Sequence, residues 1–218
     1  LACHNPLMSE RTVVHLVRHG EVYNPEKVLY GRLPGYHLSE RGQAMARVVA
    51  GFLAANDVTH VVASSLTRAK ETAAPIAAAH DVSVMTDDRV IEAANAFEGQ
   101  QVALSTFLAP RNLPLLRDVR RPSWGEPYAD IAARMGAAVT AARAAARGHE
   151  AIIVSHQLPI WIARLSAEGR RLWHDPRSRV CTLASVTSFA FAGDQLTSIT
   201  YAEPAAALLS DATASVGA

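Results

Sequence analysis

The chain is poor in cysteine. Its 218 residues hold two, Cys3 and Cys181, at opposite ends, so no disulfide framework can be read from them and a reducing, cytoplasmic setting is expected. Net charge is also nearly absent. Twenty-one Lys and Arg stand against 20 Asp and Glu, leaving +1, which argues against a nucleic-acid partner or an anionic membrane surface. No apolar run is long enough to cross a bilayer, so no membrane partner is expected. Residues 1–8 lack the charged start and apolar centre of a signal peptide; Met8 is read as a natural start behind an upstream extension.

Several catalytic signatures are missing too. There is no G-x-x-x-x-G-K-[ST] loop to cradle phosphates and no G-x-S-x-G elbow for a serine hydrolase. Cys181 is followed by Thr182-Leu183-Ala184-Ser185-Val186-Thr187, with no arginine to complete a cysteine-phosphatase loop. Neither His-x-His nor H-E-x-x-H spacing occurs, so no metal is expected, and no cofactor. What remains is an ordinary globular composition: half the residues are hydrophobic, enough for one domain with a sizeable core or a domain with an inserted cap.

Within that composition one stretch stands out. The apolar run at residues 13–17 reads as a buried strand, and Arg18-His19-Gly20-Glu21 follows it directly. Arginine and histidine therefore sit where a strand gives way to a loop, the edge at which open α/β sheets bind ligands. Arginine offers a fork of donors suited to phosphate, and histidine can act as nucleophile or proton carrier. Alone, such a pair is more often a solvated loop. Three further sites change the balance: Arg68 after a second apolar run, His156 after Ile152-Ile153-Val154-Ser155, and the acidic Glu92 in a loop between them. The residues by themselves support an anion site with two histidines.

The spacing of apolar residues and turn formers lays out the rest. Strands are expected at residues 13–17, 60–63, 82–85 and 151–154, with two more at 181–191 and 195–201 joined by a Gly193-Asp194 turn. Helices are expected at 40–55 with Ser39 as N-cap, at 66–80 with Ser65 as cap, and from Gly125-Glu126 to about 147, closed by Gly148. A further helix at 158–167 would carry Pro159 in its first turn. Pro75 should kink or break the second helix. Residues 86–128 have poor periodicity and four prolines, and are read as a lid over the strand ends, with a possible short helix at 100–108. The organisation is then an extension at 1–12, a single domain at 13–203 and a disordered tail at 204–218. Strands alternating with helices imply a three-layer α/β/α sandwich with a mainly parallel sheet.

These residues resemble the histidine phosphatase superfamily, in the branch of cofactor-dependent phosphoglycerate mutases and their phosphatase relatives. The resemblance rests on Arg18-His19-Gly20-Glu21 with Asn24, on Leu38-Ser39-Glu40-Arg41-Gly42, on Ser64-Ser65 with Thr67-Arg68-Ala69 and Glu71-Thr72-Ala73, and on Val154-Ser155-His156. They occur in the family's order, from about residue 13 to 201. The resemblance implies that His19 is the nucleophile and that Arg18 and Arg68 clamp the phosphoryl oxygens. It implies that His156 donates a further hydrogen bond as a cation and that the Asn24 amide donates another. Gly31, Arg32 and Gln157 would contribute to substrate binding. Glu92 would serve as proton donor and acceptor, with Asp87, Asp88 and Glu98 as rivals, while Glu21 would order its loop.

Arg111, Arg117, Arg120 and Arg121 cluster in the lid. They are either a solvated basic face or a second anionic subsite, with Arg120 and Arg121 the candidates for substrate contact. The mutases carry a Tyr-Gly segment soon after their acidic residue, whereas this chain has Glu92-Ala93-Ala94-Asn95-Ala96-Phe97-Glu98-Gly99. Hydrolysis of a small phosphorylated metabolite is therefore favoured over mutase activity, and a non-catalytic phospholigand-binding module is a third reading. A homodimer through the apolar lid residues Phe107, Leu108, Leu113, Leu115 and Leu116 is a further possibility.

Overall fold

The computed structural model describes residues 10–101 and 125–209. Strands and helices alternate through most of it: β1 (Arg11–Arg18), α1 (Glu40–Leu53), β2 (Val58–Ala63), α2 (Thr67–Ala79), β3 (Val84–Thr86), α3 (Tyr128–Ala145), β4 (Glu150–Ser155), α4 (Gln157–Ala167), β5 (Val186–Ala192) and β6 (Gln195–Ala202). The six described strands form one sheet in the order β3-β2-β4-β1-β5-β6. The first four are parallel, and β5 is antiparallel to both β1 and β6.

The period-two alternation of the central strands sends apolar side chains to both faces, which is why these strands read as continuous hydrophobic runs. Val17, Ile152 and Val154 face one core with Met45, Val49 and Leu53 of α1 and Ala73 and Ile76 of α2. Val14, Leu16 and Ile153 face the other with Ile131 and Met135 of α3 and Ile160, Trp161 and Leu165 of α4. Truncating any of the fully buried Leu16, Ile152 or Ile153 to alanine should cost about 2–5 kcal/mol. The helices after β1 and β2 lie on one face and those after β3 and β4 on the other. Since β1 and β4 are neighbours, the chain leaves them in opposite directions and opens a crevice beyond their carboxyl ends.

Several local expectations need correction. Pro75 neither breaks nor ends α2, which runs on to Ala79. Burial of Ala73, Ile76 and Ala77 against the sheet holds the helix through the missing N–H. Ser65 does not cap α2; the neighbouring Ser64 hydroxyl accepts from the Leu66 N–H at 3.3 Å. The strand expected from residue 181 starts at Val186, because Ser185 N–H turns back to the Thr182 carbonyl and Ala184 takes φ +54°. Past Glu203, where disorder was expected, Ala206–Leu208 form a 3-10 turn and Ala205 is buried in the core. Within the stretch read from sequence as a lid, Gln101 pairs as a β-bridge with Val28. The rest of the expected 100–108 helix lies outside the described residues, as do Arg111, Arg117, Arg120, Arg121 and the apolar residues proposed for a dimer contact. No described helix is long and apolar enough to cross a membrane.

Candidate active site

Sheet register brings the two histidines together. Arg18 pairs with Ser155 across β1 and β4, so the next residues, His19 and His156, leave the sheet side by side. The ladder extends one step further, with His19 N–H donating to Ser155 O at 3.1 Å and Ser64 N–H to Val154 O at 3.0 Å. The imidazole centroids lie 5.1 Å apart. Arg68, in the first turn of α2, joins them, its Nη2 donating to Gly31 O at 2.6 Å and standing 3.3 Å from His156 Nδ1. Arg18 reaches from the other side, its Nη1 donating to Cys181 O at 2.7 Å. Arg18, His19, Arg68 and His156 are each at most 4% exposed.

The glycines that flank the histidine motif explain themselves here. A Cβ on Gly20 would meet Gly42 O at 2.5 Å, and one on Gly42 would collide with Glu21 O. Backbone packs directly on backbone, which binds the loop after β1 to the first turn of α1. Ser39 caps α1 by accepting from Gly42 N–H at 3.0 Å and donates to Glu21 Oε2 at 2.6 Å. Thr72 accepts from Gly20 N–H at 3.1 Å, and Glu71 accepts from Leu38 N–H at 2.7 Å. The motif segments other than the histidines and arginines therefore hold the loop that carries them.

The hydrogen bonds fix both imidazole tautomers. His19 Nδ1 lies 2.7 Å from the Gly20 carbonyl. A carbonyl only accepts, so Nδ1 carries the proton and Nε2 keeps its lone pair. Burial, then the charges of Arg68 and Arg18, hold the His19 pKa well below the usual histidine value. His156 Nδ1 faces a guanidinium, which only donates, so its proton is on Nε2, which donates to Ser64 Oγ at 2.8 Å. Burial, Arg68 and His19 push its pKa down as well. The cationic state expected for His156 is therefore wrong. Two arginines and a second imidazole surround it, and among the described residues no carboxylate is hydrogen-bonded to it to balance a proton.

Two donors are left over. The Nε atoms of Arg18 and Arg68 are buried with no hydrogen-bond partner among the described residues. Orphaned cationic N–H groups are costly, and an anion resolves them. Tyr30, also buried, lays its ring against Arg68 with the guanidinium carbon 4.7 Å from the ring centroid.

Of the carboxylates considered, Glu92 is the buried one, 8% exposed. Burial raises its pKa, outweighing the Ala93 N–H and the charges of Arg68, Arg18 and Arg179. It lines a cavity of about 90 Å³ with Gly31, Asn95, Glu126, Tyr128 and Arg179. The rivals are committed elsewhere: Asp87 to Arg89 at 2.6 Å, and Glu98 to the Arg32 N–H at 3.1 Å, while Asp88 is exposed.

The remaining residues named from sequence fare differently. Asn24 is occupied by its own loop, its amide donating to Val28 O at 2.8 Å and accepting from Val28 N–H at 3.1 Å. These two bonds give Asn24 a turn-holding role and spend one of its two amide hydrogens. Arg32 donates from Nε to Glu92 O at 2.6 Å and from Nη2 to Glu126 at 3.0 Å, so it positions Glu92's backbone. Gly31 covers Arg68 with its carbonyl and has φ +39°; a Cβ there would run into the Glu98 side chain. Gln157 sits at the start of α4 between Cys181 O and Arg179, both at 3.5 Å. Sequence reasoning gave no role to Ser64, Tyr30 or Arg179. Ser64 stands in the Ser64-Ser65 segment that carries the resemblance, and Tyr30 lies in the glycine- and proline-containing loop between β1 and α1.

Together these features define an α/β sandwich with a buried cluster of two histidines and two arginines at the ends of its parallel strands. The family model of the histidine phosphatase superfamily (branch 1) matches residues 14–204, and the chain belongs to that superfamily. It is 57% identical over 201 residues to "Uncharacterized protein Rv0525" of Mycobacterium tuberculosis H37Rv, spanning 91% of this chain and 100% of that protein. Over 191 residues it is 26% identical to "Probable phosphoglycerate mutase GpmB" of Escherichia coli O1:K1, covering 79% and 83% of the two chains. An 87-residue stretch is 40% identical to "Fructose-2,6-bisphosphatase TIGAR" of Xenopus laevis, 38% of this chain and 32% of that one. Among solved structures, Bacillus stearothermophilus YhfR superposes with a TM-score of 0.72 at 23% identity, covering 85% and 94%. A mycobacterial glucosyl-3-phosphoglycerate phosphatase, Rv2419c, does so at 0.68 and 23%, covering 83% and 90%.

Proposed function

We propose that the protein is a metal-independent phosphomonoester hydrolase that works through a phosphohistidine on His19 and acts on a small phosphorylated metabolite. The observation that carries this is the His19–Gly20 hydrogen bond. It leaves an unprotonated Nε2 in a buried cluster where two arginines each have an Nε–H with no hydrogen-bond partner among the described residues.

The steps follow from that geometry. The Nε2 lone pair attacks phosphorus and the P–O ester bond breaks. Arg18 and Arg68 neutralise the nonbridging oxygens, and removing one such donor typically costs about 2.7–4 kcal/mol of transition-state stabilisation. His156, its Nε2–H held by Ser64 Oγ, accepts from Arg68 at Nδ1 and so orients that guanidinium. The departing alkoxide takes the proton that burial keeps on Glu92. The phosphorylated ring is then cationic, and the Gly20 carbonyl stabilises its Nδ1–H. In the second half, Glu92 as carboxylate takes a proton from water. The new hydroxide oxygen bonds to phosphorus, the N–P bond breaks, and inorganic phosphate leaves with His19 neutral again.

Relatives named as phosphatases, TIGAR among them, support hydrolysis. The likeness to GpmB, named a probable mutase, keeps isomerisation as the second reading. The test is phosphate release from a panel of phosphomonoesters including 3-phosphoglycerate, with chelator present, comparing wild type with His19→Ala. Release that survives chelation and disappears in the variant is the expected result. Phosphoglycerate interconversion without net release would replace hydrolase by mutase, and undiminished release by His19→Ala would sink the phosphohistidine.

A further inference from the structure

The cavity beside Glu92 has a charge pattern that the reaction itself does not need. Its carboxylates are Glu92 and Glu126. Glu126 is matched twice over, by Arg134 at 2.7 Å and Arg32 at 3.0 Å. Burial favours the neutral form of Glu92. Arg179 then adds a positive charge with no carboxylate hydrogen-bonded to it among the described residues. Its Nε donates to His174 Nε2 at 2.8 Å and its Nη1 to Gln157 Oε1 at 3.5 Å, and it also bonds the Tyr128 side chain. All three acceptors are neutral.

That support is itself built. His174 Nδ1 lies 2.7 Å from the Leu172 carbonyl, which fixes its proton there and leaves Nε2 as a pure acceptor for Arg179. The imidazole is held between Tyr128 and Trp161, with centroids 5.4 and 6.0 Å away. A guanidinium oriented by a tautomer-fixed histidine, a glutamine and a tyrosine is pre-organised, so little freedom is lost when it meets a ligand. The cavity's small volume, about 90 Å³, admits a compact group.

We infer that Arg179 is a specificity residue, which selects phosphomonoesters bearing a second anionic group, a carboxylate or a phosphate, on the leaving-group side of the scissile bond. This rests on the phosphatase reading for its orientation, since Glu92 marks the leaving-group side. It stands on Arg179, His174 and Tyr128, which the sequence did not single out, and not on the lid arginines.

The experiment compares three esters: 3-phosphoglycerate, glycerol 3-phosphate, in which a hydroxymethyl replaces the carboxylate, and glycerol 1,3-bisphosphate. Each is measured with wild type, Arg179→Gln and Arg179→Lys, by kcat/KM and by equilibrium binding to the same substitutions in a His19→Ala background. Arg179→Gln should lower kcat/KM for the dianionic-plus-carboxylate or bisphosphate substrate at least about tenfold, mainly through KM, and leave glycerol 3-phosphate within about threefold. Arg179→Lys should keep part of the preference. Whichever ester loses more identifies carboxylate or phosphate as the group recognised. Equal losses on all three esters, or no preference in either kinetics or binding, would overturn the assignment. If wild type turns over none of them while the His19→Ala protein still prefers the doubly anionic esters through Arg179, the hydrolase reading falls and the subsite stands.

Discussion

Arg68 Nη2 lies 3.3 Å from His156 Nδ1, and the direction of that bond decides the charge of the site. A guanidinium cannot accept, so His156 must remain neutral to receive it. The same holds for His19, kept neutral by burial and by Arg68 and Arg18. In the unfolded chain both imidazoles take up protons below about pH 6.5; in the folded protein they do not. The unfolded state then binds more protons, so stability falls as pH drops through that value. His60 and His174, also lowered by burial, act in the same direction. Each fully suppressed histidine contributes a slope of at most about 1.4 kcal/mol per pH unit. Urea unfolding between pH 7.5 and 5 should show decreasing stability, with a shallower slope in His156→Gln. An unchanged slope in that variant would mean His156 is protonated in the fold.

Glu92 is shifted the opposite way. Burial keeps its proton on above the usual glutamate range, opposed by Ala93 N–H and by Arg68, Arg18 and Arg179. As a proton donor it is active in the protonated form, so its loss should set an alkaline limb in the pH profile of the first step. Glu92→Gln should abolish that limb and slow hydrolysis of alkyl phosphates by about 10²–10⁴-fold. Aryl phosphates with acidic phenols should suffer much less, because their leaving group needs no proton. Similar losses for both ester types would remove Glu92 from the acid role.

Gly42 and Gly51 lie on the same helix and should respond to alanine in opposite ways. At Gly42 a Cβ would collide with the Glu21 carbonyl, which is backbone and already accepts from Ser39 N–H. At Gly51 a Cβ would meet nothing within 4 Å. Gly42→Ala should destabilise by about 1–3 kcal/mol and lower activity by shifting the loop that carries His19. Gly51→Ala should stabilise by roughly 0.5–1 kcal/mol with activity unchanged. Thermal melts of the two variants, with kcat measured alongside, check the contrast.

The sheet was legible because its central strands are buried on both faces, and a run such as Val13-Val14-His15-Leu16-Val17 carries that signature in five residues. The reacting groups were legible for a related reason: each stands immediately after such a run, where register alone sets His19 beside His156. What escaped depends on contacts between distant segments. Whether Ser64 or Ser65 turns toward the Leu66 N–H follows from how β2 ends beside β4. The protonation of His156 follows from Arg68, 88 residues away. Asn24 looked like a free donor until Val28 folded back on it. Arg179 sits in a polar stretch with no periodicity, and its orientation comes from His174, Gln157 and Tyr128, which only the fold assembles.

Arg68 itself supplies the sharpest test of pocket geometry. Its guanidinium donates to Gly31 O at 2.6 Å and to His156 Nδ1, packs against Tyr30, and still has a buried Nε–H without a partner among the described residues. Arg68→Lys keeps the charge but replaces a rigid planar fork with one flexible ammonium. If charge alone stabilises the phosphoryl oxygens, the variant should stay close to wild type. If the fork matters, kcat/KM should fall by about 10²–10³-fold, chiefly in kcat, because donors aimed at the transition state are lost. Inhibition separates the two further. Vanadate, which takes up the five-coordinate geometry of the transferring group, should weaken much more than inorganic phosphate, which resembles the ground state. Equal weakening of both inhibitors would assign Arg68 to substrate binding rather than to transition-state stabilisation, and would leave Arg18 as the principal clamp.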